Sequence, residues 1–230
     1  MKRVTLILLT IDRYHLTREY IGKALRTAGH PFDLCIADNG STDPEIFKWC
    51  EEQNPKIYHR NGYNAGTAQS INRMIRENPA DFYCFIGNDI DLPPDWLKKM
   101  VDHATAIPES GMVGINWRPI EYEPIKVNDR VIWPSERVFG DVLFSQAVID
   151  KLGALCQDYG TYGFWDSDMA IRCKRSGFIN YYLAGEKSVH MGDDTTEKTP
   201  YRKMKDDSLK IHSSVFQANI RRYNETGEVY

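Results

Sequence analysis

The chain has 230 residues, of which 42% are hydrophobic and 27% charged, and its net charge is −3 at neutral pH. That length suits one large domain, or a domain with a short appendage, and the hydrophobic share is enough for a full core. The charge balance excludes a bulk field that would draw the protein to nucleic acid or to an anionic membrane surface. Five cysteines, at positions 35, 50, 84, 156 and 173, form neither a Cys-x-x-Cys pair nor a zinc spacing. An odd, patternless count fits a reducing, cytoplasmic setting. Met1-Lys2-Arg3 and the apolar run behind it mimic a short signal peptide. The run is too short to span a membrane and no small-residue cleavage site follows, so it reads as a first strand.

In chain order, residues 4–9 form that strand, 16–28 a helix stopped by Gly29-His30-Pro31, and 33–37 a second strand. A helix over 45–52, a short strand at 57–59 and a helix over 65–76 follow. The aromatic run 82–86 reads as a buried strand, and Pro93-Pro94 precede a helix over 95–106. Residues 111–116 are strand-like, while 117–134 carry three prolines and mixed polarity and read as a loop or irregular hairpin. A strand at 138–144, a helix at 145–152, a glycine- and aromatic-rich loop at 160–165, a helix at 167–175 and a strand at 179–184 complete the pattern. The alternation of strands and helices predicts an α/β fold built on a mostly parallel sheet. From Asp193 the chain turns polar: 193–207 reads as a loop. Residues 209–223 read as a helix with Ile211, Val215 and Ile220 on a modest apolar face, one that packs back on the core or mediates a homodimer contact.

The chemistry gathers where strands end. The run 82–86 stops in Gly87-Asn88-Asp89-Ile90-Asp91. Carboxylates at the carboxyl end of such a strand lie at the crevice where open α/β sheets bind ligands. Two acids so close repel unless something positive lies between them, and a divalent cation carrying phosphate oxygens answers that need. The second strand runs into Asp38-Asn39-Gly40-Ser41-Thr42-Asp43-Pro44, and the first into Thr10-Ile11-Asp12-Arg13. One polar strand end is ordinary; three at one edge point to a site. Between Arg60 and Asn72 a strand leads into a helix, and the compact Asn64 and Gly66 let backbone approach a ligand at a helix N-terminus that favours anions.

These blocks, with Trp165-Asp166-Ser167-Asp168-Met169-Ala170-Ile171-Arg172 as a fifth, resemble the GT-A glycosyltransferases, and among them the family 2 type, over roughly residues 4–192. The resemblance implies a Rossmann-like nucleotide-diphospho-sugar transferase sheet flanked by helices. It places a GT-A domain at 1–192, with a nucleotide-sugar half at about 1–92 and an acceptor half at about 93–192, and leaves 193–230 as an appendage. It implies transfer of a sugar from a nucleoside diphosphate, UDP favoured, to a hydroxyl acceptor, with Mn2+ or Mg2+ as cofactor and inversion at the anomeric carbon. By resemblance Thr10 and Asp12 border the nucleotide, Asp38 lies near its base, and Asn64, Gly66, Asn88 and Asp89 join the donor site. Asp89 is the leading metal ligand. Spacing alone adds Asp91 to it, whereas alignment on Pro93-Pro94-Asp95-Trp96-Leu97 puts the motif at Gly87-Asn88-Asp89 and leaves Asp91 outside. His190 completes the metal shell or meets the diphosphate, and imidazole suits Mn2+ better than Mg2+. Asp166 matches the general base; Asp168 is next in line, although Arg172 four residues on is placed to pair with it. Gly87 and Trp165 depart from the family pattern, and these two positions keep open a nucleotide-sugar-binding protein without turnover. A sugar-phosphate nucleotidyltransferase would want a basic glycine-rich turn after the first strand, where Thr10-Ile11-Asp12-Arg13 stands instead. No basic stripe supports a nucleic-acid acceptor.

Overall fold

The computed structural model describes residues 1–118, 123–191 and 200–227. Strand β1 (Val4–Thr10) is buried along nearly its whole length. The helical segment behind it joins α1 (Tyr14–Leu16), a π-helical turn (Thr17–Ile21) and α2 (Gly22–Arg26). Then come β2 (Asp33–Asp38), α3 (Pro44–Glu52), β3 (Ile57–Arg60), α4 (Thr67–Glu77) and β4 (Phe82–Ile86). The Asp43 carboxylate caps α3 by accepting from Glu45 N at 3.0 Å, with Pro44 in the first turn. The second half holds β5 (Ile90–Asp91), α5 (Trp96–Ala106), β6 (Ser110–Gly114), β7 (Ile125–Val127) and β8 (Arg130–Pro134). It continues with β9 (Val142–Ser145), α6 (Gln146–Leu152), α7 (Trp165–Arg175), β10 (Ile179–Leu183), β11 (Val189–His190) and α8 (Pro200–Thr226).

Nine strands form one sheet in the order β3-β2-β1-β4-β9-β6-β10-β8-β7, and only β9 and β8 run against the rest. The sheet is mixed and mostly parallel, with helices on both faces. Because it is covered on both sides, its strands are apolar at successive positions rather than at alternate ones. Leu6 and Leu8 of β1 face the layer that holds Trp96 and Met100 of α5, and Ile7 faces the opposite layer with Met74 of α4 and Met169 of α7. Strand order reverses at β1: β2 lies on one side in the register Thr10↔Asp38, and β4 on the other with Leu8↔Ile86. The carboxyl ends of β2, β1 and β4 therefore share one edge, which is where a crevice opens. A second, two-stranded ribbon pairs β5 with β11 antiparallel in the register His190↔Ile90.

Three boundaries differ from the sequence expectation. Within the proline-bearing stretch 117–134, β7 and β8 form a regular antiparallel hairpin that completes one side of the sheet. The strand expected over 138–144 starts only at Val142, since Gly140 takes a φ of +87° and breaks the extension. Helix α8 begins at Pro200, so 200–207 are helical rather than loop, and 193–199 lie outside the described residues.

Trp96 is fully buried where α5 meets α2, and its Nε1 donates to the Ala24 carbonyl at 2.9 Å. Trp96→Ala should cost about 3–5 kcal/mol of unfolding free energy in urea titrations, since it opens a large cavity and removes a hydrogen bond from that carbonyl.

Candidate functional site

A cavity of about 520 Å3 lies at this shared edge. Leu9, Thr10, Ile11, Asn39 and Asn64 wall one side, Gly87 to Ile90 its middle, and Trp117, Phe139, Tyr162 and Asp166 the far side.

On the nucleotide-half side the loops are tied to one another. Asp12 N donates to Ser41 Oγ at 2.7 Å, while its carboxylate accepts from Thr42 N at 2.7 Å and Asp43 N at 3.1 Å. Asp12 staples the first loop to the second and is not in the cavity wall. Asp38 is fully buried and likewise absent from the wall. Its carboxylate accepts from Thr10 Oγ1 at 2.9 Å, from Gly40 N at 3.2 Å, from Ser41 N at 3.0 Å and from the Ser41 hydroxyl. The structure engages the Asp38 oxygens with the turn, and the residue of this pair that lines the cavity is Asn39. Asn39 Oδ1 accepts from Asn61 Nδ2 and Ser70 Oγ, both at 2.9 Å. The signal was available, because successive side chains at a strand end face opposite ways. Asn64 lines the cavity and accepts from Gly66 N at 3.0 Å. Gly66 is absent from the wall; it precedes α4 with φ +89°, and a Cβ there would meet the Gly160 carbonyl at 2.6 Å. Close packing, not ligand contact, requires that glycine.

In the middle of the wall Asn88 Nδ2 donates to Thr17 Oγ1 at 3.2 Å, which ties the motif to the π-helical turn. Asp89 Oδ2 accepts from Arg13 Nη1 at 2.7 Å, and Asp89 Oδ1 lies 3.6 Å from His190 Nε2. The β5–β11 ribbon brings that imidazole in, and Met191 N locks it by donating to the Asp89 carbonyl at 2.8 Å. The His190 ring packs against Trp117 with centroids 4.8 Å apart. Asp91 is not brought to this point. Ile90 takes the cavity side of β5, so Asp91 faces α2 and pairs with Lys23 Nζ at 2.5 Å. The geometry thus gathers Gly87, Asn88 and Asp89 at the cavity and turns Asp91 away from it.

Among the described residues no group of three His, Cys, Asp or Glu side chains converges on one point. Asp89 and His190 nevertheless offer one oxygen and one nitrogen to the same cavity. That pair fits a divalent cation that draws its other ligands from phosphate oxygens and water, and a mixed oxygen–imidazole set suits Mn2+.

On the far side α7 opens with Trp165, whose ring is buried and meets Phe85 edge-on at 5.4 Å. Asp166 follows, lines the cavity and accepts from Ser167 N at 2.7 Å. Burial pushes its carboxyl up to about 6. Asp168 lies roughly 200° further round the helix and points into the core. It is fully buried, accepting from Arg172 Nε at 2.8 Å and Tyr159 OH at 3.0 Å. Arg172 also donates to the carbonyls of Leu152 at 2.8 Å and Ala154 at 3.2 Å. Asp168 does not line the cavity and holds α7 to the loop behind α6. The polar stretch read as a loop supplies the remaining wall. Arg202, Met204, Lys205 and Leu209 of α8 face the cavity, and Lys205 Nζ lies 5.0 Å over the Tyr162 ring. No feature of the sequence announced them.

Residues 5–174 match the model of the protein family described as Glycosyl transferase family 2. The chain belongs to that family. Its fold is that of the GT-A glycosyltransferases. The chain is similar to the mannosyltransferase PcManGT of Pyrobaculum calidifontis, solved with GDP-Man and Mn2+, at a TM-score of 0.68 and 18% identity over 88% of this chain and 59% of that one. It is similar to TarS of S. aureus, at a TM-score of 0.59 and 14% identity over 82% of this chain and 59% of that one. GalNAc-T7, solved with UDP, GalNAc and Mn2+, gives a TM-score of 0.63 and 8% identity over 83% of this chain and 44% of that one. Among curated sequences, protein y4gI of Sinorhizobium fredii is 21% identical over 85% of this chain. The chain spans about a quarter of y4gI, 26%, so it covers much less than the length of that relative.

Breaking the buried Asp168–Arg172 pair strands a charge in the core, which costs about 3–5 kcal/mol. Arg172→Met should lower unfolding free energy by that much in denaturant titrations. A double Asp168→Leu/Arg172→Met variant should recover a large part of the loss.

Proposed function

We propose that this chain is the catalytic domain of a nucleotide-sugar glycosyltransferase that passes a sugar from a nucleoside diphosphate to a hydroxyl acceptor with inversion. The observation that carries the reading is that Asp89, His190 and Asp166 come from the turn after β4, from β11 and from α7 and line one cavity at the strand-reversal edge. Asp89 and His190 would hold a Mn2+ or Mg2+ ion, which supplies Lewis-acid stabilisation of a diphosphate leaving group. Thr10, Asn39, Asn64 and Asn88 form the wall in which a nucleotide lies. The uridine preference rested on Asp38; with its oxygens consumed internally, the base is left to experiment.

Asp166 takes the proton of the acceptor hydroxyl as that oxygen attacks the anomeric carbon. Its burial makes it a stronger base than an exposed carboxylate, and it is still ionised at neutral pH. Trp117, Phe139 and Tyr162 offer ring faces on which a sugar can stack, and α8 closes that side. The reading without turnover loses ground on two counts. Trp165 is a core residue whose replacement of a carboxylate leaves Asp166 in place. A Cβ at Gly87 would lie 3.3 Å from Asp89 Oδ1, so the small residue keeps that oxygen uncrowded.

Titration calorimetry with UDP, GDP, CDP and dTDP, with and without Mn2+, tests the donor site. At least one nucleotide should bind more tightly with the ion. Asp89→Ala should abolish that dependence and Asp91→Ala should retain it. Full sugar transfer by Asp89→Ala would refute the assignment.

Asp166→Asn keeps the shape and removes the base. Turnover should fall roughly 10²–10⁴-fold with donor affinity nearly unchanged. In the unaltered protein kcat/KM should rise with pH through about 6, as the carboxyl loses its proton. Stability runs the other way, because an acid whose folded pKa is raised stabilises the fold while protonated and loses that contribution as pH climbs to about 6. Asp166→Asn should therefore melt higher than wild type at pH 7 to 8. Product NMR showing retained configuration would remove Asp166 from the role.

A further inference from the structure

Arg13 is not needed by anything above, yet the backbone is strained to present it. Asp12 and Arg13 both take left-handed conformations, with φ of 47° and 58°. Two successive non-glycine residues there are uncommon and persist only where their surroundings over-determine them. Here they do: Asp12 is stapled to Ser41, Thr42 and Asp43, and Thr17 N and Oγ1 donate to the Arg13 carbonyl at 3.1 and 3.2 Å. The side chain runs to Asp89, with Nη1 2.7 Å from Oδ2. The two side chains are 14% and 9% exposed, which makes this a largely desolvated pair. A carboxylate in that state needs a counter-charge.

The same carboxylate is the one that, on the reading above, a cation would use. A dication arriving alone would have to take an oxygen from a guanidinium and then sit beside it, with like charges repelling in a partly dried site. A dication arriving with a diphosphate meets no such conflict, because the phosphate oxygens supply negative charge for both. The guanidinium fork also matches phosphate geometry.

We propose that Arg13 is an internal counter-ion that holds Asp89 when no donor is bound and passes to the diphosphate when cation and nucleotide enter together. This rests on Asp89 being the cation ligand. It adds an order to binding: Arg13 stands outside the cavity wall while it holds Asp89, and reaches the diphosphate only by leaving that carboxylate, with the strained 12–13 turn as its fixed base.

The test is Mn2+ binding to the full chain by electron paramagnetic resonance, without nucleotide and with UDP or GDP. Arg13→Gln should bind Mn2+ alone about tenfold more tightly than wild type, a factor within the range of ordinary site-to-site coupling. Nucleotide should strengthen Mn2+ binding strongly in wild type and much less in Arg13→Gln. Arg13→Lys keeps the charge and should behave like wild type for Mn2+ alone. This variant also guards against a misfolded glutamine variant, as do matched circular dichroism melts. Equal affinities of wild type and Arg13→Gln for Mn2+ alone would overturn the counter-ion role. An Asp89→Asn protein that binds Mn2+ as wild type does would instead overturn the cation site itself, and Arg13's role with it.

Discussion

A carboxylate taken out of water must be met by positive charge, and Asp89 imposes that condition on the edge of this sheet. It stands just beyond β4, the strand beside the point of reversal, with little access to solvent. Arg13 comes to it from the loop after β1 and His190 from β11. Each needs its own support. Arg13 requires a left-handed turn stapled by Asp12, and His190 requires the β5–β11 ribbon and the Met191–Asp89 backbone bond. Much of the irregular structure around the crevice consists of these supports. The regular sheet below holds the strand ends in register and leaves the loops to supply charge.

The cavity itself is assembled from elements with different duties. Asp38 and Asp168 look like site residues in a sequence, yet both are internal fasteners. One closes the turn after β2, and the other binds α7 to the loop behind α6 through Arg172. Each sits one or two positions from a residue that does face the cavity, Asn39 and Asp166. The pairing is physical: a polar group lining the cavity stands one or two residues from a carboxylate turned into the core, and a buried carboxylate costs least where amide, hydroxyl or guanidinium donors already converge on it.

That pairing explains what the sequence revealed and what it hid. The strands, the mixed and mostly parallel sheet and the crevice at the ends of β1, β2 and β4 were legible, since continuous apolar runs stopped by acidic turns have few other readings. That Asp89 lies at the cavity was legible, because alignment on the double proline and spacing both included it. That Asp91, Asp38 and Asp168 turn away from the cavity was not legible, because composition at a strand end or helix start does not tell which side of the backbone a side chain leaves. One residue of alternation turned Asp91 to Lys23 and Asp38 to Thr10. Helix α8 was half legible. Its apolar positions marked the part that packs on the core, while the charged first turns looked like loop because their partner is a cavity wall and not a core.

That division within α8 has an evolutionary consequence. Its later turns anchor through the buried Phe216 and Tyr223, and its early turns place Arg202, Met204 and Lys205 at the cavity. Arg202, Met204 and Lys205 lie outside the buried core, so substitutions there would reshape the cavity at less cost to the fold than changes at Phe216 or Tyr223. Recombination at a single breakpoint before α8 would exchange one whole wall of the cavity and leave the crevice that gathers Asp89, His190 and Asp166 as it was.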